Sequence, residues 1–138
     1  MADEIVRVVL VDDSRATQAI IRRSLGYVGG VEIVGTACDG AQGLVVIAET
    51  EPDLVLMDMV MPGMDGIEAL KRLRDAGSTV AVAIVTSLAG KEECANEAFR
   101  CGAIQVLPKP FDLEDLRKLV ESIRSLKAKD GVLAAAPS

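Results

Sequence analysis

Four stretches of this 138-residue chain carry side chains able to do chemistry together: Asp12-Asp13 behind "VRVVLV", Asp58 ending "LVLMD", Thr86-Ser87 behind "VAVAIV", and Lys109 in "LPKPF". Each follows an apolar run of strand length. A carboxylate at the tip of a buried strand is costly unless an opposite charge compensates it. Three carboxylates held together repel one another, and keeping them ionised requires a cation. Oxygen-only ligands with open positions suit Mg²⁺ better than zinc or copper. Lys109 adds a positive charge on a flexible stem, suited to holding an anionic oxygen. Thr86 adds a hydroxyl donor. Carboxylate nucleophile, divalent cation, ammonium and hydroxyl are the parts that phosphoryl transfer to an aspartate uses, with the spreading charge neutralised on the equatorial oxygens. On this reading Asp58 is the phosphoacceptor and a metal ligand, Asp13 binds the metal directly, and Asp12 binds it directly or through water. The chain contains no histidine, which removes Ser-His and Cys-His nucleophiles, imidazole metal ligands and phosphohistidine on this chain.

These residues meet only if the strands that carry them run side by side. Continuous apolar stretches predict strands over Val6–Val11, Val31–Ala37, Leu54–Met57, Thr79–Thr86 and Ile104–Leu107. Helical spacing appears between them. Thr17, Ile20, Ile21, Ser24 and Leu25 form the first face after Asp13 or Ser14 as N-cap, and Gly29-Gly30 breaks the chain. Ala41, Leu44, Val45 and Ala48 form the second, stopping before Pro52, and Ile67, Leu70 and Leu73 the third, closed by Gly77. Cys94, Ala95, Ala98 and Phe99 form the fourth, and Leu116, Leu119, Val120 and Ile123 the fifth. Pro108 suits an edge strand, where a missing N–H harms no ladder. The expected fold class is α/β, a doubly wound five-stranded parallel sheet flanked by five helices. In such sheets ligands bind outside the carboxyl ends of the strands, where all four stretches converge. One domain spans residues 1–127, and "AKDGVLAAAPS" from Ala128 reads as a flexible tail.

Composition narrows the partners. Half the residues are hydrophobic but only two Phe, one Tyr and no Trp are present. With a net charge of −6, the surface repels phosphate backbones and lacks the aromatics that single-stranded nucleic acid stacks on. No nucleic acid and no membrane partner are expected, since the longest apolar runs are strand length. Cys38, Cys94 and Cys101 are odd in number and form no C-x-x-C, which fits reduced thiols and a cytoplasmic location. Met57, Met59, Met61 and Met64 read as packing rather than a metal box. Arg22-Arg23 and Lys71-Arg72 read as solvated helix faces.

Asp12-Asp13, "LVLMDMVMPGMDG" around Asp58, "VTS" at 85–87 and "PKPF" at 108–111 together resemble the receiver domain of two-component response regulators, over roughly residues 5–127. The resemblance implies the strand order 2-1-3-4-5. It also implies a sensor histidine kinase or phosphotransfer protein as donor and the backbone carbonyl of Val60 as a further metal ligand. It implies a cis peptide at Lys109-Pro110, an inward movement of the Thr86 hydroxyl, and a downstream protein target on the fourth-helix, fifth-strand, fifth-helix face.

The sequence departs from the family pattern in three places. Val106 stands where an aromatic is common, so no ring can switch there and any signal must pass through residues 87–91 or a changed packing of Val106. Val60 and Leu88, two residues after Asp58 and Thr86, are apolar where polar residues are common, which predicts restricted water access and a slower loss of phosphate. One residue more than in the family's chemotaxis member separates Thr86 from Lys109, placed in "SLAGK". Each site residue alone has a plainer reading: Asp12-Asp13 as a helix cap, Asp58 as a turn residue, Thr86 as a strand-end hydroxyl, Lys109 as a solvated charge. The joint placement favours a phosphorylation-controlled interaction module, not an enzyme, that assists its own phosphorylation and dephosphorylation and has no output domain after its last helix. A phosphorylation-independent scaffold is the alternative. An aspartyl-phosphate phosphohydrolase is a third reading, weakened because its D-x-D motif would place an acid where Val60 stands.

Overall fold

The computed structural model describes residues 4–87 and 92–135, with side chains described up to residue 128. Five strands, β1 (Val6–Val11), β2 (Val31–Ala37), β3 (Leu54–Asp58), β4 (Ala81–Thr86) and β5 (Gln105–Pro108), alternate with five helices. The helices are α1 (Arg15–Val28), α2 (Gly40–Thr50), α3 (Gly66–Asp75), α4 (Glu92–Arg100) and α5 (Leu113–Ala135). Every strand pair is parallel, in the order β2-β1-β3-β4-β5, as the resemblance implied. Pro108 closes the edge strand β5.

Alternation along the strands builds two cores. Val8, Leu10, Leu54, Leu56, Ala83 and Val85 face α1 and α5, meeting Ile21, Leu25, Leu116, Leu119, Val120 and Ile123. Val9, Val11, Val55, Met57, Val82 and Ile84 face the other way, toward Ile47, Ala69, Leu70, Leu73 and Ala98 of α2, α3 and α4. This two-sided burial explains why the strands read as unbroken apolar runs rather than alternating ones. A fully buried Leu70 or Leu116 stabilises the fold by roughly 1.5–3 kcal/mol.

The chain turns are held by polar side chains. Ser14 caps α1 by accepting from Thr17 N, Asp39 caps α2 through Gln42 N, and Asp65 caps α3 through Glu68 N. Gly29 and Gly30 both take positive φ, 79° and 69°, to end α1 and enter β2. From α5, Arg124 donates to the carbonyls of Glu4, Gly29 and Gly30. Lys127 reaches the carbonyl of Ile5 at 2.6 Å and the Asp53 carboxylate at 2.8 Å. No described helix is long and apolar enough to cross a membrane.

Several local expectations are corrected. The buried residues of α2 are Gly40, Gly43 and Ile47, whereas Ala41, Val45 and Ala48 are exposed. Residues 44–48 are apolar without a break, so their periodicity does not pick the face, and Gly43 wins it by letting Val11 approach closely. Ile20 on α1 and Phe99 on α4 are exposed rather than buried. Cys94 on α4 and Cys101, which directly follows that helix, both pack against the core. β3 runs one residue further, to Asp58; β4 begins at Ala81, and β5 is shifted to Gln105–Pro108. The stretch from Ala128, expected as a flexible tail, is helical to Ala135 as part of α5; no proline interrupts it. Residues 136–138 lie outside the described residues, as does most of the "SLAGK" loop with Leu88.

Candidate functional site

Strand register brings the acidic residues level. Val11 of β1 pairs with Met57 of β3, so Asp12 stands beside Asp58. Asp58 in turn pairs with Val85, one residue before Thr86, and Thr86 pairs with Pro108. The backbone N–H of Lys109 donates to the Thr86 carbonyl at 3.0 Å, anchoring the chain from which the lysine reaches back. Asp12, Asp58 and Lys109 continue the parity of Leu10, Leu56 and Leu107, whose side chains share one core.

Among the described residues, the buried polar or charged side chains are Asp12, Asp58 and Thr86, at 2%, 7% and 1% exposure. All three are residues the sequence singled out, and burial of this kind requires partners. Lys109 Nζ supplies one, lying 3.1 Å from Asp12 Oδ2 and 3.2 Å from Asp58 Oδ1. Asp12 Oδ1 accepts from the backbone N–H of Ser14 at 2.8 Å. Asp58 Oδ1 also accepts a long bond from Val60 N–H at 3.4 Å. Asp13 is exposed, yet one carboxylate oxygen from each of Asp12, Asp13 and Asp58 lies within 4.8 Å of the others.

Electrostatics follow from this crowding. Burial raises the Asp58 carboxyl above its ordinary value, and the Asp12 charge adds to that, outweighing the opposing pull of Lys109. For Lys109, burial acts downward, but its hydrogen bonds to Asp12 and Asp58 prevail and lift the ammonium above its ordinary value. One lysine therefore pairs with two of the three clustered carboxylates. The donor set is all oxygen, two of its members are buried, and the local charge is negative, which fits a hard divalent cation such as Mg²⁺.

The remaining expectations fall as follows. The Lys109-Pro110 peptide is cis. Val60 is 60% exposed beside Asp58. Val106 is half-buried, pairs with Ile84 and packs against the α2–α4 core with Cys94 and Cys101. Met57, Met59 and Met61 are buried in that core and Met64 packs against it, so the methionines are packing residues. Arg22, Arg23, Lys71 and Arg72 are exposed.

Two contributors escaped the sequence reading. A Cβ on Gly66 would collide with the Asp58 carbonyl oxygen and stand 3.0 Å from Met59 Cα. Its N–H donates to the Met59 carbonyl at 2.8 Å, so α3 can begin directly against the strand end that presents Asp58. The signal was the glycine after Asp65, the cap of α3. The second is Gln18 on α1, whose side-chain amide reaches the Asp12 carbonyl; a lone glutamine in a helix carries no sequence signal of that kind.

Comparison with known proteins agrees with this geometry. Residues 8–121 match the response regulator receiver domain. A protein-glutamate methylesterase/protein-glutamine glutaminase of Myxococcus xanthus is 36% identical over 135 residues, 96% of this chain but 39% of that protein. The chain spans from about a third to just over half the length of the curated relatives it matches. Among solved structures, the signal receiver domain of NarL from Mycobacterium tuberculosis superposes with a TM-score of 0.82 at 31% identity, covering 88% of this chain and 98% of that one. The CheX–CheY–BeF3–Mg²⁺ complex from Borrelia burgdorferi gives a TM-score of 0.79 at 28% identity, covering 86% and 88%. With this match running through both cores and all four strand ends, the chain belongs to the response regulator receiver domains of two-component signalling.

Proposed function

We propose that Asp58 is the phosphoacceptor of this receiver domain, with Asp12, Asp13, Asp58 and the backbone carbonyl of Val60 holding Mg²⁺. The observation that carries the reading is the confinement of buried polar side chains, among the described residues, to Asp12, Asp58 and Thr86, with Lys109 bridging the two acids. A bound Mg²⁺ supplies charge neutralisation for the carboxylates and for the phosphoryl oxygens. A carboxylate oxygen of Asp58 attacks the phosphorus of a phosphohistidine on a sensor kinase or phosphotransfer protein. The new O–P bond forms as the N–P bond breaks, and the imidazole stays on the donor. Lys109 then exchanges its hold on the Asp58 carboxylate for a phosphoryl oxygen, and Thr86, fixed at the end of β4, offers its hydroxyl to another.

Output is contact with a downstream protein through α4, β5 and α5, where Phe99 and Leu113 are exposed at 47% and 43%, as is Ile104 just ahead of β5 at 40%. The Borrelia CheY, bound to CheX in its own structure, supports signalling by protein contact. The chain acts as a phosphoacceptor, not as an enzyme turning over a separate substrate, and works in the cytoplasm, where Cys38, Cys94 and Cys101 stay free thiols. Residues 1–127 constitute the working domain. Treatment with acetyl phosphate and Mg²⁺, followed by intact mass measurement, should add one hydroxylamine-labile phosphate to wild type and none to Asp58→Asn. Labelling that survives in the variant would overturn the assignment.

A further inference from the structure

We propose that Gln18 is a positioning residue for the acidic pocket: its side-chain amide locks the backbone of Asp12 and so aims the Asp12 carboxylate. This rests on the reading of the pocket as a Mg²⁺ and phosphoacceptor site. Gln18 Nε2 donates to the Asp12 carbonyl at 2.7 Å and to the Ala37 carbonyl at 3.1 Å. Both partners are acceptors, so the amide orientation is dictated by chemistry, and both N–H bonds of one nitrogen are used. The Asp12 N–H donates to that same Ala37 carbonyl at 3.0 Å. A single amide thus joins the ends of β1 and β2 to α1.

The consequence for Asp12 is specific. Its N–H is held by Ala37, its carbonyl by Gln18, and its Oδ1 by Ser14 N–H. The remaining oxygen, Oδ2, faces Lys109. Each polar atom of Asp12 thus has a partner, which matters because its carboxylate must stay within 4.8 Å of oxygens on Asp13 and Asp58 despite like-charge repulsion. Without the amide, the Asp12 carbonyl loses its side-chain donor and the crowded carboxylates can spread. A cation would then have to gather them again, and that reorganisation weakens binding.

Calorimetric titration of the full chain with MgCl2, together with urea unfolding in EDTA, tests this. Gln18→Met keeps the length and shape but removes the donor. Ile21→Val serves as the control: it trims a buried side chain of the same helix that faces the core. Gln18→Met should weaken Mg²⁺ binding about tenfold, the lower edge of what outer partners of metal ligands contribute. It should also speed hydrogen exchange at the Asp12 amide relative to Val9. Ile21→Val should lower the urea midpoint and leave Mg²⁺ affinity as in wild type. Unchanged affinity in Gln18→Met, or an equal loss in Ile21→Val, overturns the role of Gln18. Wild type that binds no Mg²⁺ overturns the reading of the pocket itself, a result seen before any variant is compared.

Discussion

Replacing Asp58 by asparagine should stabilise the metal-free protein. The carboxylate oxygens of Asp12, Asp13 and Asp58 lie within 4.8 Å of one another, where two like charges at an effective dielectric of about 20 repel by roughly 3.5 kcal/mol. Asp58 feels two such neighbours. Lys109 at 3.2 Å offsets about 5 kcal/mol on the same scale, which leaves roughly 2 kcal/mol unfavourable. Solvent around exposed Asp13 reduces that figure, so a gain of about 1 kcal/mol, or about 4 °C in Tm, is expected at pH 7 in EDTA. The pH dependence has a definite sign. Because the folded-state pKa of Asp58 is raised from 3.8, ionising it destabilises the fold. The wild type is free of that penalty below pH 3.8 and incurs it as pH rises through the folded value. The advantage of Asp58→Asn should therefore vanish in acid and be complete at neutral pH. Saturating Mg²⁺ should narrow it by stabilising wild type more than the variant. Thermal melts across pH with and without Mg²⁺ measure all three effects. A variant less stable than wild type in EDTA at pH 7 would refute the electrostatic reasoning.

Lys109→Met should destabilise the protein by about 2 kcal/mol, below the 3–5 kcal/mol of a fully buried pair because the lysine side chain is 24% exposed. Since Lys109 is raised above 10.5, its contribution is complete below pH 10.5 and fades as pH climbs through the folded value; urea midpoints in alkali should fall in wild type and stay flat in the variant if this is correct. Gly66→Ala should cost about 2 kcal/mol, because the atoms in its way are backbone and cannot rotate aside. A urea midpoint equal to wild type would show that the β3–α3 junction has slack. Val60→Asn should accelerate loss of phosphate severalfold by placing a polar group where an exposed valine now flanks Asp58; a decay rate matching wild type in an autodephosphorylation assay removes the water-exclusion idea.

The convergence of these residues was legible because a parallel sheet concentrates strand ends on one edge, where Asp58 and Thr86 close their strands and Asp12 and Lys109 follow theirs. Helix faces were harder. The α5 stripe of Leu116, Leu119, Val120 and Ile123 is buried in full, because polar residues bracket it in sequence. In α2, "LVVIA" offers apolar side chains all round, and the inward face was chosen by Gly43 meeting Val11, a long-range fit that no local pattern contains. The continuation of α5 past Lys127 was not legible, because Asp130 and Gly131 are weak helix formers. Gly66 and Gln18 escaped for a related reason: each acts on the site through backbone atoms of other residues.

The side chains of Arg124 and Lys127 clasp the carbonyls of Glu4 and Ile5, where β1 begins and so at the far edge of the sheet from Asp12 and Asp58. A fluorescent protein or surface tether attached ahead of residue 4 would consequently hang on the side away from the phosphoacceptor pocket. Engineers could immobilise the molecule by that handle and leave the approach of an incoming donor unobstructed.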